Sequence, residues 1–562
     1  MRSPRRKDTG VTSWTSDGAR GSGGPVPGPA ARGSLPTSRS YDLAVIGAGP
    51  AGLAAAVTAA DCGLSVALID ASERPGGQFF RHAAPGLAPR GNPVGHKRAT
   101  FAAWSARLAA HVRGGGITHL AGRHVWMAEG GGGAAAGPKG WALRHVPVGG
   151  APTGNASGAS ADGNAPTPGS TSADDSPSHD SAPPHAPHLT QARFLLLATG
   201  AYERQLPFPG WTLPGVVAAG GAQAILKDSR ALPGRRIVVA GSGPLLPAVA
   251  VSLAEAGATV PVLAEAASYA GYAARPGVLA RNPAKAAEGA RLAADLLRYR
   301  IRLRPRSAVV RAHGTDRVEA VTLAALDRYW RPVAGTEVRI ACDALAVGHG
   351  LVPQLELAVA LGCTLRTAPD GTPAVVVDDQ QRTDVNGLWA AGESTGVGGV
   401  QLALPEGWSA ALSMAAVLRG GGARGTGPRP AIARQRRFAD LMAAVHRPGP
   451  HWPQWLTEDT EVCRCEEVTA HELRQAHELG ARDSRSAKLL TRAGMGWCQG
   501  RMCETAVTCL AAGGDGSAPL VAARRPLSCP VSLQDLADSD SRLPSHPAAD
   551  AGPAPAPGPS AV

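Results

Sequence analysis

A glycine-rich turn between an apolar strand and an Ala-rich helix occurs twice in this chain of 562 residues. The first copy reads YDLAVIGAGPAGLAAAVTAADCGLSVALID (41–70), and the second reads RRIVVAGSGPLLPAVAVSLAEAGATVPVLAEA (235–266). In each copy a later glycine, Gly63 or Gly257, ends the helix before another apolar strand. The repeat predicts an α/β fold with two dinucleotide-binding, Rossmann-like domains, the second inserted into the first.

The first copy carries a GxGxxG motif formed by Gly47, Gly49 and Gly52. The first glycine permits a tight turn, the second lets the backbone approach a pyrophosphate, and the third lets helix and strand pack closely. The phosphates would lie at the helix N-terminus beside Ala51, and Asp70 would accept hydrogen bonds from a ribose. The spacing therefore favours a dinucleotide site over an ordinary tight turn.

The second copy departs from this motif. Gly241 and Gly243 are present, but Leu246 stands at the third glycine position. Aligned on the helix-ending glycines, the ribose-binding acid position is Ala264, and Glu265 comes one residue late. Leu246 would hold the helix and strand further apart. A working NAD(P) site and a vestigial or repurposed one both stay open.

Three further motifs follow the first copy, namely PGGQ (75–78), LLLATGAYERQLPFPG (195–210) and GLWAAGE (387–393). In this order they resemble the elements that surround FAD in two-dinucleotide-domain flavoproteins of the glutathione-reductase type. The resemblance implies FAD as the cofactor. Because the CxxC dithiol of the disulfide reductases with this fold is absent, we do not expect disulfide reduction.

The same resemblance implies which residues lie near the flavin. Glu393 would reach the ribityl and pyrophosphate region, although the usual residue there is Asp. A helix beginning near 405–407 would direct its positive end at the pyrimidine edge of the flavin. The expected cofactor-binding residues are Gly47, Gly49, Ala51, Gly52, Asp70, Gly77, Gln78, Thr199, Gly200, Gly392 and Glu393.

Four cysteines lie in two pairs near the end of the chain. Cys463 and Cys465 form CxC, and Cys498 and Cys503 form CxxxxC after a gap of thirty-two residues. Four thiolates can hold tetrahedral zinc or a 2Fe–2S cluster, and the spacing alone leaves both open. The stretch CEEVTAHELRQAHELGARDSRSAKLLTRAGMGWCQGRMC resembles the bacterioferritin-associated-ferredoxin type of 2Fe–2S domain. That resemblance implies an iron–sulfur cluster with these four cysteines as its ligands.

Composition and charge limit the partners and the compartment. The formal net charge is +12, but part of it lies in the first forty residues, and no stripe of Arg alternates with aromatic side chains. A solvated basic tail is therefore favoured over a nucleic-acid site. The nine cysteines and the lack of a secretion signal indicate a reducing compartment. We expect a cytoplasmic protein, or one peripheral to the inner face of the membrane, without a transmembrane segment.

Gly/Pro/Ser-rich stretches without periodicity separate the ordered parts. The expected organisation is a disordered tail (1–40), the FAD-binding domain in three parts (41–145, 192–234 and 336–420) with a disordered insertion (146–191), an NAD(P)-like domain (235–335), a linker (421–455), a 2Fe–2S domain (456–512) and a C-terminal tail (513–562).

About 41–145 and 192–530 resemble the large flavoprotein subunit of bacterial amine and imino-acid dehydrogenases, the family of hydrogen cyanide synthase, opine oxidase and the proline and hydroxyproline dehydrogenases. The resemblance rests on VIGAGPAG, PGGQ, AGSGPLLPAVA, DALAVGHGLVP, AAGESTGVGG, the cysteine module and ARRPLSCPVSL. It implies that the chain works beside a second, substrate-oxidising flavoprotein subunit. In some members of the family a small iron–sulfur subunit is a further partner.

The resemblance implies that electrons pass from a small amine, amino acid or imino acid through FAD to the 2Fe–2S cluster and on to a respiratory or quinone acceptor. Two alternatives stay open, namely an electron-transfer subunit without substrate chemistry and an NAD(P)H-dependent reductase. A lone histidine beside glycines, such as His349, is more often structural than catalytic, so no catalytic residue is nominated.

Overall fold

The structure is a computed structural model that describes residues 40–83, 98–130, 140–148, 188–420, 428–516, 518–520, 525 and 527–540. The disorder expected for 1–40 and 146–191 concerns residues that, apart from the edges of these segments, lie outside the described ranges. Residues 541–562 also lie outside them.

The first part of the chain forms a sheet around the first glycine motif. Its elements are β1 (Ser40–Ile46), α1 (Pro50–Asp61), β2 (Val66–Ile69), α2 (Arg98–Arg113), β3 (Ile117–Leu120), β4 (Arg123–Gly130), β5 (Trp141–Pro147) and β6 (His188–Leu197). The strand order is β3-β2-β1-β6-β5-β4, with β1 parallel to β2 and β6. All four residues of β2 are buried, as expected for a parallel strand covered on both faces.

A second sheet forms around the second glycine motif. Its region contains β7 (Ala201–Glu203), β8 (Val216–Ala218), α3 (Ala219–Ser229), β9 (Ile237–Gly241), α4 (Leu245–Glu255), β10 (Val262–Glu265), α5 (Pro276–Ala280), α6 (Pro283–Arg298), β11 (Arg302–Pro305), β12 (Ser307–His313), β13 (Ala320–Ala325), β14 (Val338–Ala341) and β15 (Ala344–Gly348). The parallel order β11-β10-β9-β15-β8 is that of a second Rossmann-like domain, and β12-β13-β14 form a separate antiparallel sheet. The predicted α/β class with two such domains is confirmed.

The chain then returns to the first sheet. The elements are β16 (Leu351–Pro353), α7 (Glu356–Ala360), β17 (Leu365–Thr367), β18 (Pro373–Val375), β19 (Leu388–Ala390) and α8 (Val400–Leu418). Strand β19 lies parallel to β6 and completes a seven-stranded sheet. Helix α8 packs on α1 so closely that a Cβ on Gly407 would overlap the carbonyl oxygen of Ala51.

Helix α8 begins earlier than predicted. The resemblance to the flavoproteins implied a start near 405–407. Instead Gly399, with φ of 75°, precedes the first helical residue Val400, and Pro405 lies inside the helix. A glycine with positive φ sets the direction of entry, and the later proline continues a helix that has already started.

The segment predicted as a linker is largely helical. Helix α9 (Arg429–Val445) packs on α8, and the turn Trp452–Trp455 buries both tryptophans. The iron–sulfur module follows as β20 (Glu461–Cys463), β21 (Val468–Thr469), α10 (Ala470–Glu478), α11 (Ser484–Thr491) and α12 (Glu504–Ala511). Both α10 and α11 start with a capping box, which satisfies amides that a helix start leaves unpaired.

The segment predicted as a C-terminal tail includes structure that packs on the first sheet. The Ser528 amide donates to the carbonyl oxygen of Trp126 at 2.9 Å, and Cys529 is buried against the Trp126 side chain. Helix α13 (Leu533–Asp540) follows. Within the described residues no helix is both long and apolar enough to cross a bilayer.

Candidate functional site

The first glycine motif forms a turn that tolerates no side chain at two positions. A Cβ on Gly47, whose φ is 102°, would overlap the carbonyl oxygen of Ala198, and a Cβ on Gly52 would overlap that of Gly47. Gly49 precedes α1, and no described side chain caps that helix start. The free amides of the first turn are suited to a pyrophosphate, so the turn fits a dinucleotide.

The PGGQ loop lies directly over this turn. A Cβ on Gly77 would lie 2.8 Å from the Cα of Gly49, so the two backbones approach as closely as glycine allows. The Gln78 side chain is exposed and accepts a hydrogen bond from Arg81 at 3.1 Å. The structure therefore places Gly77 beside the turn and Gln78 at its open side.

Lys227, on α3, fixes the same loop and was missed by the sequence analysis. Its ammonium group donates to the carbonyl oxygens of Gln78 at 3.3 Å and Phe79 at 3.1 Å. Burial, with a smaller effect of Arg81, lowers the pKa of Lys227 to about 8. An isolated Lys on an Ala-rich helix gives no signal of this contact, which depends on how the two domains meet.

Asp70 lies at the predicted ribose position. Its carboxylate accepts hydrogen bonds from the amide of Ala48 and, at 2.6 Å, from the amide of Ser72. A carboxylate offers about four lone-pair positions, so these two donors leave room for ribose hydroxyls. The geometry fits the expected role.

Thr199, Gly200 and Gly392 lie where β6 and β19 end, next to the glycine turn. The Thr199 hydroxyl donates to the carbonyl oxygen of Gln354 at 2.7 Å, and the Gln354 amide donates to Gly200 at 2.9 Å. A Cβ on Gly392, whose φ is 80°, would lie 2.9 Å from the Cβ of Ala51. The predicted residues therefore gather around one end of the first sheet.

Glu393 supports the loop that precedes α8. Its two carboxylate oxygens accept hydrogen bonds from the amides of Gly398 and Gly399, both at 3.0 Å. Burial raises the pKa of Glu393, and these two amides lower it. Contact of Glu393 with the ribityl chain stays a prediction.

A buried ion pair beneath this loop was also missed. Glu406, only 1% exposed, pairs with Arg436 and accepts hydrogen bonds from the Gly392 amide at 2.9 Å and the Thr395 hydroxyl at 3.2 Å. Arg436 also donates to the carbonyl oxygen of Gly396 at 2.8 Å. The helical spacing of apolar residues in 429–445 was the available signal for α9, but it does not indicate the partner of Arg436.

The four cysteines form two contacting pairs. The thiols of Cys463 and Cys503 lie close enough to shift each other's pKa, and burial and the neighbouring Cys498 thiol raise the pKa of Cys465. Within the described residues no three His, Cys, Asp or Glu side chains converge on one point. Two pairs of sulfurs suit two iron atoms, each with two protein ligands.

The backbone around these thiols also fits a cluster. The Gly494 amide donates to the Cys463 sulfur at 3.4 Å, and a Cβ on Gly496 would overlap the Cβ of Cys465. The hydrogen bond from Cys503, aided by the Gly494 amide, lowers the pKa of Cys463 to about 6. Close backbone approach and amide donors to sulfur are what a 2Fe–2S centre needs.

The second glycine motif retains part of its predicted geometry. A Cβ on Gly241 would overlap the carbonyl oxygen of Gly348, whereas Leu246 is buried in the core. Glu265, not Ala264, takes the position of the acid, because its carboxylate accepts the amides of Gly243 at 3.2 Å and Ala267 at 3.0 Å. In the folded chain, Glu265 therefore takes the acid position that the alignment on the helix-ending glycines gave to Ala264.

Three family descriptions match parts of the chain. They are pyridine nucleotide-disulphide oxidoreductase over 185–415, FAD dependent oxidoreductase over 42–126, and BFD-like [2Fe-2S] binding domain over 461–511. The predicted cofactors, FAD and a 2Fe–2S cluster, are confirmed.

Individual relatives agree with these matches. Hydrogen cyanide synthase subunit HcnB of Pseudomonas aeruginosa is 35% identical over 326 residues, which are 56% of this chain and 69% of that protein. An opine oxidase subunit of Rhizobium meliloti (strain 1021) is 30% identical over 521 residues, 89% of this chain and 98% of that protein. A crystal structure of L-proline dehydrogenase from P. horikoshii has a TM-score of 0.58 and 18% identity, and the match covers 89% of this chain and 79% of that one. This last likeness concerns the fold alone.

Proposed function

Because the chain belongs to the family of flavoprotein oxidoreductase subunits found in hydrogen cyanide synthase and opine oxidase, we propose a dehydrogenase role for it. It passes electrons from a small amine, amino acid or imino acid through FAD to a 2Fe–2S cluster and on to a respiratory or quinone acceptor. The donor loses two electrons and two protons as its C–N bond becomes C=N. The acceptor takes the electrons in two single steps.

The proposed residues bind and orient the two groups. When bound, FAD accepts two electrons together and the cluster accepts them singly. The amides at the start of α1 would hold the pyrophosphate, Asp70 would hold the ribose, and the loop at Gly77 would lie near the flavin. The four thiolates of Cys463, Cys465, Cys498 and Cys503 hold the cluster.

One line of contacts between the two sites carries this proposal. Arg501 donates to the carbonyl oxygen of Cys498 at 3.4 Å and pairs with Glu356 at 2.7 Å. Glu356 begins α7, two residues after Gln354, whose carbonyl oxygen accepts the Thr199 hydroxyl. The loop that bears a cluster ligand is thus connected to the turn that lines the proposed flavin site, which supports electron transfer between them within one chain.

A second candidate follows from the names of the relatives, which are subunits of larger enzymes. In this alternative the chain carries electrons but oxidises no substrate, and a second flavoprotein subunit supplies the substrate pocket. A small iron–sulfur subunit is a further proposed partner. The two candidates differ in whether the isolated chain turns over an amine.

The test is purification of the chain alone and together with its native partners. Flavin, iron and sulfide content are measured first, followed by anaerobic dye reduction with proline, hydroxyproline, sarcosine, glycine and opines. Dye reduction by the isolated chain supports the first candidate, and reduction only by the co-purified assembly supports the second. A chain that contains neither flavin nor iron contradicts both.

A further inference from the structure

Helix α9 lies against the second nucleotide-binding domain, and the residue that follows it enters the acid site. His446 is only 6% exposed, and its Nδ1 lies 3.4 Å from Oε1 of Glu265 and 3.3 Å from the Ser242 hydroxyl. Its Nε2 lies 3.0 Å from the Tyr272 hydroxyl. The imidazole is therefore held from three sides at the end of β10.

Three protein groups donate hydrogen bonds to the Glu265 carboxylate, and His446 lies against it. Oε2 accepts the Gly243 amide at 3.2 Å and the Tyr269 hydroxyl at 3.3 Å. Oε1 accepts the Ala267 amide at 3.0 Å and faces His446. Glu265 is 0% exposed, and about four acceptor positions are all that a carboxylate has.

The first domain provides an internal comparison. Asp70 occupies the same place at the end of β2, but among the described residues its carboxylate takes hydrogen bonds only from the amides of Ala48 and Ser72. Two acceptor positions stay available there for ribose hydroxyls, whereas at Glu265 three are taken and His446 covers the remaining one. Asp70 and Glu265 therefore occupy equivalent positions in the two domains, but protein donors take more of the acceptor positions of Glu265.

Helix α9 also borders the cleft in which the second domain would hold the phosphates of a dinucleotide. Leu246, at the third glycine position, is 2% exposed and packs in the core. Met442 and Ala443 of α9 line the same cleft as the turn at Gly243 and Leu246. Helix α9 and His446 therefore form one wall of the cleft that a dinucleotide would have to enter.

We infer that α9 and His446 close the second domain to NAD(P), which makes His446 a residue that determines electron-donor specificity. The chain is thereby restricted to electrons that arrive from a donor other than a nicotinamide dinucleotide. This goes beyond the proposed function and does not rest on the identity of the amine, because it concerns the second domain alone.

The experiment uses the full chain with FAD bound and no amine present. NADH and NADPH are titrated by isothermal calorimetry, and the flavin absorbance is followed under anaerobic conditions. The wild-type chain is expected to show no saturable binding up to about 1 mM and no bleaching. His446→Ala uncovers Oε1 of Glu265 and is expected to tighten binding about tenfold or more, because a ribose hydroxyl can then donate to this buried carboxyl group.

Two further variants distinguish a specific effect on nucleotide binding from a general loss of folding. His446→Gln keeps a donor toward Glu265 and is expected to stay closed. Tyr269→Phe removes a different donor from the same carboxylate and is expected to act in the same direction as His446→Ala, which keeps the test usable if the alanine variant does not fold. Micromolar binding of either nucleotide by the wild type overturns the inference, as does an unchanged affinity in the opened variants that retain FAD. Neither result affects the evidence for FAD and the cluster.

Discussion

Arg436 of α9 pairs with Glu406 of α8, and the carboxylate of this pair is almost completely buried. The contact connects α9, which lies in the segment predicted to be a linker, with the loop of Gly392 and Thr395. The flavin is proposed to bind at this loop. A buried charge needs its partner, since removing one member leaves the other unpaired in a medium of low dielectric constant.

We expect Arg436→Met to lower the free energy of unfolding by about 3–5 kcal/mol, because it leaves the Glu406 carboxylate buried without a counter-ion. Loss of FAD is expected to accompany the change. Urea unfolding with flavin fluorescence measures both effects. Arg437→Met on the exposed side of the same helix is the matched control and should change stability by less than about 0.5 kcal/mol.

The same variant should depend on pH in a defined direction. Burial raises the pKa of Glu406, and Arg436 lowers it, so the pKa rises further in Arg436→Met. In the variant, the folded chain keeps the Glu406 proton to higher pH than the unfolded chain does. The stability that this proton contributes is lost as the pH rises through the pKa of Glu406 in the folded state. The difference in the free energy of unfolding between the wild type and Arg436→Met should be smaller at about pH 5 than at about pH 8. A gap that widens toward acid would contradict the buried pair.

Arg501→Gln tests the connection between the cluster loop and the flavin domain. It removes an ion pair with Glu356 and a hydrogen bond to the carbonyl oxygen of Ser528 at 2.8 Å. Each contact that involves a charged group contributes about 1.5–3 kcal/mol. We expect electron transfer from the reduced flavin to the cluster to become slower, while the visible spectrum of the cluster stays unchanged. Anaerobic stopped-flow absorbance measures this rate. Arg492→Gln, which breaks an exposed pair with Glu466, is the control, and equal rates in both variants would argue against a role for Arg501.

The sequence predicted the elements whose signal is local. Both glycine turns follow apolar strands and precede Ala-rich helices, and the structure places a strand, turn and helix at each of them. The four cysteines stood out by their spacing, but the contacting pairs, Cys463 with Cys503 and Cys465 with Cys498, each join the CxC motif to the CxxxxC motif and were not indicated by it.

The contacts that the sequence did not predict join residues far apart in the chain. Arg436 and Glu406 are 30 residues apart, and Ser528 bonds Val125 across 403 residues. Their sequence neighbourhoods, rich in Gly, Pro and Arg, have the composition of linkers and tails. Burial and partners appear only when the sheets are assembled, so composition alone did not indicate these contacts.

Gly52→Ala should remove FAD without a change of charge. The added methyl group would overlap the carbonyl oxygen of Gly47, so the turn must open and the helix must move from the strand. We expect a chain that purifies without flavin absorbance and unfolds at lower temperature. Gly289→Ala, at an exposed position of α6 with no atom within 4 Å of the new Cβ, should instead add about 0.5–1 kcal/mol. Flavin retained at wild-type occupancy in Gly52→Ala would exclude the proposed site.

Cys498→Ser should abolish the visible absorbance of the iron–sulfur centre, because an iron would lose one of its two protein sulfurs. Iron and sulfide analysis is expected to fall with the absorbance, while the flavin stays bound. Cys509→Ala provides the control within the same module, since burial raises the pKa of Cys509 to about 12 and keeps it a thiol in the core. An absorbance that survives in Cys498→Ser would contradict the proposed ligand set.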